Sequence, residues 1–143
     1  MPDDVTVNKA ATVERCLRRV REEVAADPEL ADQTRQDAAV LNLQRACQAA
    51  IDLAMRRARL AGLGVPQTSR EAFALLVEGA GLPADLGDRM QRMVGFRNVA
   101  VHDTPVGDGV ANQALSLPVL RAIVADHLGD FEAFVAWALR DDR

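Results

Sequence analysis

The segment TRQDAAVLNLQRACQAAIDLAMRRARL, running from Thr34 to Leu60, decides the fold. Val40, Leu43, Cys47, Ala50, Ile51 and Ala54 recur along it at helical spacing, and Leu41 and Leu53 widen the apolar arc. An arc that wide predicts contact with more than one neighbour. A helix of this length is therefore the expected spine of a bundle, ended by Gly62, Gly64 and Pro66.

The flanking text supplies the neighbours. Toward the N-terminus, Val13, Leu17, Val20 and Val24 step at helical intervals with Cys16 beside them, which predicts an amphipathic helix over Asn8–Ala26 closed by Asp27-Pro28. Arg15, Arg18, Arg19 and Arg21 occupy its other faces and read as solvated surface. Toward the C-terminus, Thr68-Ser69-Arg70-Glu71 has the form of a capping box, with the Thr68 hydroxyl placed for the Glu71 amide and the Glu71 carboxylate for the return bond. A short helix follows through Phe73, Leu76 and Val77 to Gly79. Pro83 opens a fourth helix carrying Leu86, Met90, Met93 and Val94 on one stripe. Turn chemistry occupies 103–115, and Ser116 is the expected cap of a last helix with Leu120, Ile123, Val124, His127, Phe131, Phe134 and Leu139 as its apolar stripe. No segment alternates with period two. The sum is an all-α, up-and-down bundle of about five helices forming a single domain over 1–143, with a long loop at 103–115 beside the fourth helix.

Composition narrows the function classes. Apolar residues make up 49% of the 143, aromatics only 3%, and tyrosine is absent, so a sheet-rich fold is disfavoured. The net charge of −4 means that any nucleic-acid contact must be local. All basic residues except Lys9 are arginine, a bias that genome base composition alone can produce. Cys16 and Cys47 fall inside helical patterns at no ligand or redox spacing and read as small buried residues in a reducing compartment. No apolar run approaches membrane-spanning length, and the N-terminal text has no signal-peptide core, so the expectation is a cytoplasmic protein with no membrane contact. Glycine-rich phosphate loops, metal-ligand spacings and serine or cysteine nucleophile motifs are all missing, so neither a cofactor nor a metal is expected.

One departure from pattern remains. Extending the Leu86, Met90, Met93, Val94 stripe lands on Arg97 and then Val101, so a permanent charge stands where the stripe calls for an apolar residue. His102 follows five residues later, and Asn98 shares its face. On an ideal helix positions 97 and 102 diverge by about 140°, so their convergence requires either a helix ending near His102, which Pro105 and Gly107 would supply, or a second subunit. Two readings stand: an anion-handling site, or Arg97 paired with a carboxylate such as Asp103 and a histidine that merely closes a helix. His127, on the stripe of the last helix, reads as a packed or interface residue.

The segment Arg97-Asn98-x-x-x-His102 resembles the R-x4-H signature of the HEPN superfamily. Val40–Ala46, Ser69–Phe73, Met93–Asn98 and His127–Phe131 resemble, in order, the corresponding stretches of HepT-like toxins, the partners of minimal nucleotidyltransferase (MNT) antitoxins. The similarity runs from near residue 5 to near residue 140. The resemblance implies a toxin of a toxin–antitoxin pair: a homodimeric helical ribonuclease that cuts RNA, whether tRNA or mRNA, without metal, the signatures of two subunits facing one cleft. It makes Arg97 and His102 catalytic and gives Asn98 a supporting role. It also leaves a second form open, a non-catalytic HEPN module that binds a nucleotide or a nucleotidyltransferase through the same residues. Two positions depart from the family. The signature often continues to a tyrosine that accepts AMP from the antitoxin; here that position is Thr104, which carries a hydroxyl but no phenol. The family also passes more directly into its last helix, so the residues from Pro105 to Gln113 form an insertion, one able to serve inhibition by capping of the cleft.

Overall fold

The computed structural model describes residues 2–102 and 117–140, with the backbone alone for 96–102. Among the described residues six helices follow one another: α1 (Asp4–Ala26), α2 (Gln33–Leu60), α3 (Ser69–Gly79), α4 (Ala84–His102), α5 (Leu117–Asp126) and α6 (Leu128–Leu139). No strand occurs among the described residues. The expected all-α bundle is what the chain forms, with α2 packed against α1, α3, α4 and α6. Among the described residues no helix is long and apolar enough to cross a membrane.

Local chemistry sets the boundaries. α1 begins four residues before the expected Asn8 because the Asp3 carboxylate accepts the Thr6 amide at 2.8 Å, a cap that apolar periodicity does not reveal. Asp32 caps α2 in the same way through the Arg35 amide at 3.1 Å. At the other end of α2, Gly62 takes φ +72°, its amide reaching the Arg59 carbonyl and the Leu63 amide the Ala58 carbonyl, which stops the helix in a Schellman turn. The Thr68 hydroxyl accepts the Glu71 amide at 3.0 Å as expected. The return bond differs: the Glu71 carboxylate accepts the Gln67 amide, one residue before the cap.

The largest difference from expectation is at the C-terminal end. The single last helix is two, α5 and α6, broken at His127, whose φ of −121° and ψ of −2° leave the helical region. The His127 amide still bonds the Ile123 carbonyl, so the chain pivots on one residue and Leu128 restarts the helix. The apolar stripe survives because both halves face inward, Leu120 and Ile123 from α5, Phe131, Phe134 and Val135 from α6. Ser116, the expected cap, lies outside the described residues, as does the 103–115 segment.

The core is built on small-to-large packing. Ala39, Ala46, Ala50, Ala54 and Ala58 of α2 are buried, small residues that let its neighbours approach closely, and Val13, Leu17 and Val20 of α1 are buried with them. Each of those side chains contributes about 1.5–3 kcal/mol by leaving water. Leu41, expected to widen the apolar arc, is instead 44% exposed, whereas Leu53 is fully buried. Both cysteines are buried, as expected, and not bridged to one another, and burial pushes the Cys16 thiol up. Phe73 of α3 meets Phe134 of α6 edge to face, ring centroids 5.1 Å apart, across the end of α2. Between α1 and α2, Leu30 sits at φ +50° yet is wholly buried, so the contacts of its side chain offset a strained backbone.

Glu23 ties this region together, accepting Arg19 at 2.7 Å within α1 and Arg35 at 3.0 Å from α2. The Arg19 guanidinium first, and Arg35 after it, hold the Glu23 carboxyl below its ordinary value of 4.5. A depressed folded-state value means that this stabilisation is present above the ordinary value and is lost as pH falls through the lowered one. The unfolding midpoint should therefore drop on acidification below about pH 4, and Glu23→Gln should show a smaller drop in the same thermal scan. Phe73→Ala should cost about 3–5 kcal/mol in urea unfolding, because the ring is fully enclosed and the bundle cannot collapse onto the hole.

Candidate functional site

α4 carries the candidate site, and its first half explains why its second half is held in place. The Pro83 carbonyl accepts the Gly87 amide at 2.9 Å, starting the helix where the sequence places it. Gly87 permits a close crossing, since a Cβ there would stand 2.4 Å from Val77 Cγ2 of α3. Leu86, Met90, Met93 and Val94 are all buried, as the stripe requires. Cys47, Ala50, Phe73, Met90, Met93, Val94 and Phe131 close round one another, and the Cys47 thiol donates to the Met93 carbonyl at 3.7 Å. One turn beyond that contact the stripe reaches position 97.

The backbone is helical without interruption through His102. The helix ending expected near His102 from Pro105 and Gly107 falls on residues outside those described. Along this helix, position 97 lies about 40° round the axis from Met93, while 98 and 102 are about 40° from each other and 102 is about 140° from 97. The side chains of Arg97, Asn98 and His102 lie outside the described residues. So do Thr104, Asp103 and the inserted loop.

Next to the signature the structure gathers groups that sequence reading left apart. Arg89 of α4 donates to Asp130 of α6 at 2.9 Å and to Asp85 at 3.2 Å. Those carboxylates, Asp85 foremost, raise the Arg89 guanidinium above its ordinary value, and Arg89 in turn lowers Asp85. Asp130 also meets His127 Nδ1 at 3.2 Å, so one carboxylate receives both helices at the point where α5 pivots into α6. His127 is thus a half-exposed junction residue instead of a member of the buried stripe. Arg92 pairs with Asp88 at 2.8 Å. Arg89, Arg92, Met93, Ile123 and His127 line a cavity of about 230 Å³ on the Met93 side of α4. The i, i+4 spacings Asp85–Arg89 and Asp88–Arg92 were legible in the sequence; the cross-helix partner Asp130 was not.

A groove of about 750 Å³ is a different place, lined among the described residues by α1 and α2. Lys9 there is engaged by Asp52, and Arg19 by Glu22 and Glu23. Arg15 and Arg45 line it as well, and among the described residues it receives none of the signature helix. Among the described residues no three His, Cys, Asp or Glu side chains gather as a metal site.

Because Asp130 is 13% exposed and shared by two helices whereas Asp85 is 78% exposed, Asp130→Ala should lower the unfolding midpoint clearly more than Asp85→Ala. Thermal unfolding of the two variants side by side checks this.

Comparison with known proteins returns one consistent neighbourhood. The family model described as Ribonuclease HepT-like matches residues 12–105, a span that includes all of α4. The mRNA nuclease HepT of Shewanella oneidensis is 40% identical over 134 residues, covering 93% of this chain and 95% of that protein. The tri-AMPylated Shewanella oneidensis HEPN toxin in complex with MNT antitoxin superposes with a TM-score of 0.84 at 37% identity, covering 99% of this chain and all of that one. A toxin–antitoxin structure with AMP-PNP gives a TM-score of 0.83 at 38% identity, over 96% of this chain and 99% of that one.

Proposed function

The chain belongs to the HepT-like ribonuclease family, and on that premise we propose that it is the toxin of a HEPN/MNT pair, a ribonuclease whose cleft forms between two copies of α4 and is controlled by a nucleotidyltransferase antitoxin. The observation that carries this reading is the unbroken helix across the signature. One copy sets positions 97 and 102 on different sides of a rigid rod, so it offers a single phosphate either the arginine or the histidine. Two rods facing each other across a two-fold axis offer both, and each element is doubled.

The chemistry follows from the side chains. Cleavage by the 2′-hydroxyl of RNA needs a base for that proton, an acid for the departing 5′-oxygen and a cation on the phosphorane. One His102 takes the 2′ proton as the oxygen attacks phosphorus; the other gives its proton to the 5′-oxygen as the P–O bond breaks. That leaves a cyclic phosphate without any metal ion. Arg97 grips two phosphate oxygens at once and does not lose its charge. Asn98, on the His102 face, holds the imidazole or a phosphate oxygen.

Regulation departs from the pattern of the relatives. The AMPylated neighbour is a toxin modified in its complex, whereas this chain has no tyrosine and presents Thr104 at the acceptor position. Loss of the phenol supports an antitoxin that acts by covering the cleft, with the inserted segment at 103–115 available for that contact; a hydroxyl at Thr104 is the one remaining acceptor.

His102→Ala should reduce cleavage of tRNA or synthetic RNA in metal-free buffer by at least about a hundredfold while the sedimentation of the dimer stays the same. Oligonucleotides lacking the 2′-hydroxyl should survive intact. Undiminished cutting by the variant, or cleavage of all-deoxy strands, would exclude the mechanism. RNA or nucleotide binding without cleavage by the parent protein would point to the non-catalytic module instead.

A further inference from the structure

A single cation of α3 reaches α4 just before the signature. Arg70, the second residue of α3, lays its guanidinium over the backbone of α4 at Gly95: its Nη2 lies 2.7 Å, and its Cζ 3.9 Å, from where a Cβ on Gly95 would stand. Among the described residues no other heavy atom crowds that place. Any side chain at 95 would displace the guanidinium, so the glycine is what lets it lie there. Arg70 is exposed, and among the described residues no carboxylate pairs with it. That sets it apart from Arg19, Arg35, Arg89, Arg92 and Arg121, each of which is held by an acid.

Helix geometry says which face this is. Counted from Gly95, position 98 lies about 60° round the axis and position 102 about 20°, whereas position 97 lies about 160° away on the opposite flank. Arg70 therefore stands on the Asn98 and His102 face. Along the axis it is level with Gly95, roughly 10 Å before His102, too far for both to hold the same phosphate oxygen and well placed for a neighbouring linkage. An exposed guanidinium lying over a helix backbone, with no acid on it among the described residues, is a receptor for a phosphodiester and carries no base preference.

Resting on the ribonuclease reading of the same site, we propose that Arg70 is the substrate-positioning residue of the His102 face, gripping the RNA phosphate next to the one that is cut. It holds the strand in register while His102 performs the proton transfer, and Gly95 serves the reaction only by leaving room for Arg70.

The test is RNA binding, read apart from cleavage, using a 2′-O-methylated oligoribonucleotide that 2′-hydroxyl chemistry cannot cut. Arg70→Ala should weaken its binding several-fold and reduce the slope of log affinity against log salt by about one, the signature of one lost phosphate contact; Arg70→Lys should keep most of the slope. On cleavable RNA the alanine variant should raise KM far more than it lowers kcat. Gly95→Ala, which keeps every charge and displaces only the guanidinium, should weaken binding in the parent and have no effect in the Arg70→Ala background. Unchanged affinity and slope in Arg70→Ala, or a Gly95→Ala effect of equal size in both backgrounds, would overturn the proposal. Loss of binding to the nucleotidyltransferase antitoxin with RNA affinity untouched would also overturn it and make the surface a protein contact. A parent protein that binds this RNA but never cuts the unmodified one would defeat the ribonuclease reading alone, leaving Arg70 to be judged on affinity.

Discussion

Everything at the candidate site depends on how firmly the first half of α4 is clamped. Leu86, Met90, Met93 and Val94 are sunk among α2, α3 and α6, and the Met93 carbonyl is tied to the Cys47 thiol. An α-helix is stiff over this length, so fixing its buried half fixes where its remaining turns point. The signature residues thus need no scaffold of their own. They are carried on a rod whose other end is core, and chemistry that depends on position is served by a rod better than by a loop.

Charge is distributed with the same economy. Arg19, Arg21, Arg35, Arg56, Arg89, Arg92 and Arg121 are each matched to an acid, several of them between helices, as in Arg35 with Glu23 and Arg89 with Asp130. Such pairs on a partly exposed surface add little stability individually but leave little net field. What distinguishes Arg70 is its place beside the signature helix, and there a chain of net charge −4 can still offer RNA a local foothold.

Much of this was readable in advance because it rests on local rules. The stripe on α2, the stop at Gly62, the opening at Pro83 and the buried run on α4 follow from periodicity and turn chemistry, and the structure agrees with each. Departures came where one residue had two acceptable local states. Leu41 fits an apolar arc as readily as an exposed flank, and in the folded chain it lies on the rim of the groove between α1 and α2. His127 continues a helical stripe by spacing, yet its backbone leaves the helix. The family resemblance was legible in the Arg97-Asn98-x-x-x-His102 signature and its flanking segments, and it holds along nearly the whole chain.

The sequence by itself therefore determined the all-helical class, the family and the residues on which catalysis is proposed to rest, because helical periodicity and a collinear motif are properties of neighbours along the chain. Only the tertiary structure decided that the last helix breaks at His127, that Asp130 joins Arg89 to that break, and that Arg70 comes to lie over Gly95. Residues 70 and 95 have no spacing that relates them. What brings them together is the crossing of α3 over α4, set by Phe73 and Val94 burying themselves in one core, and no local rule encodes a contact made by two helices that must first agree on where the core is.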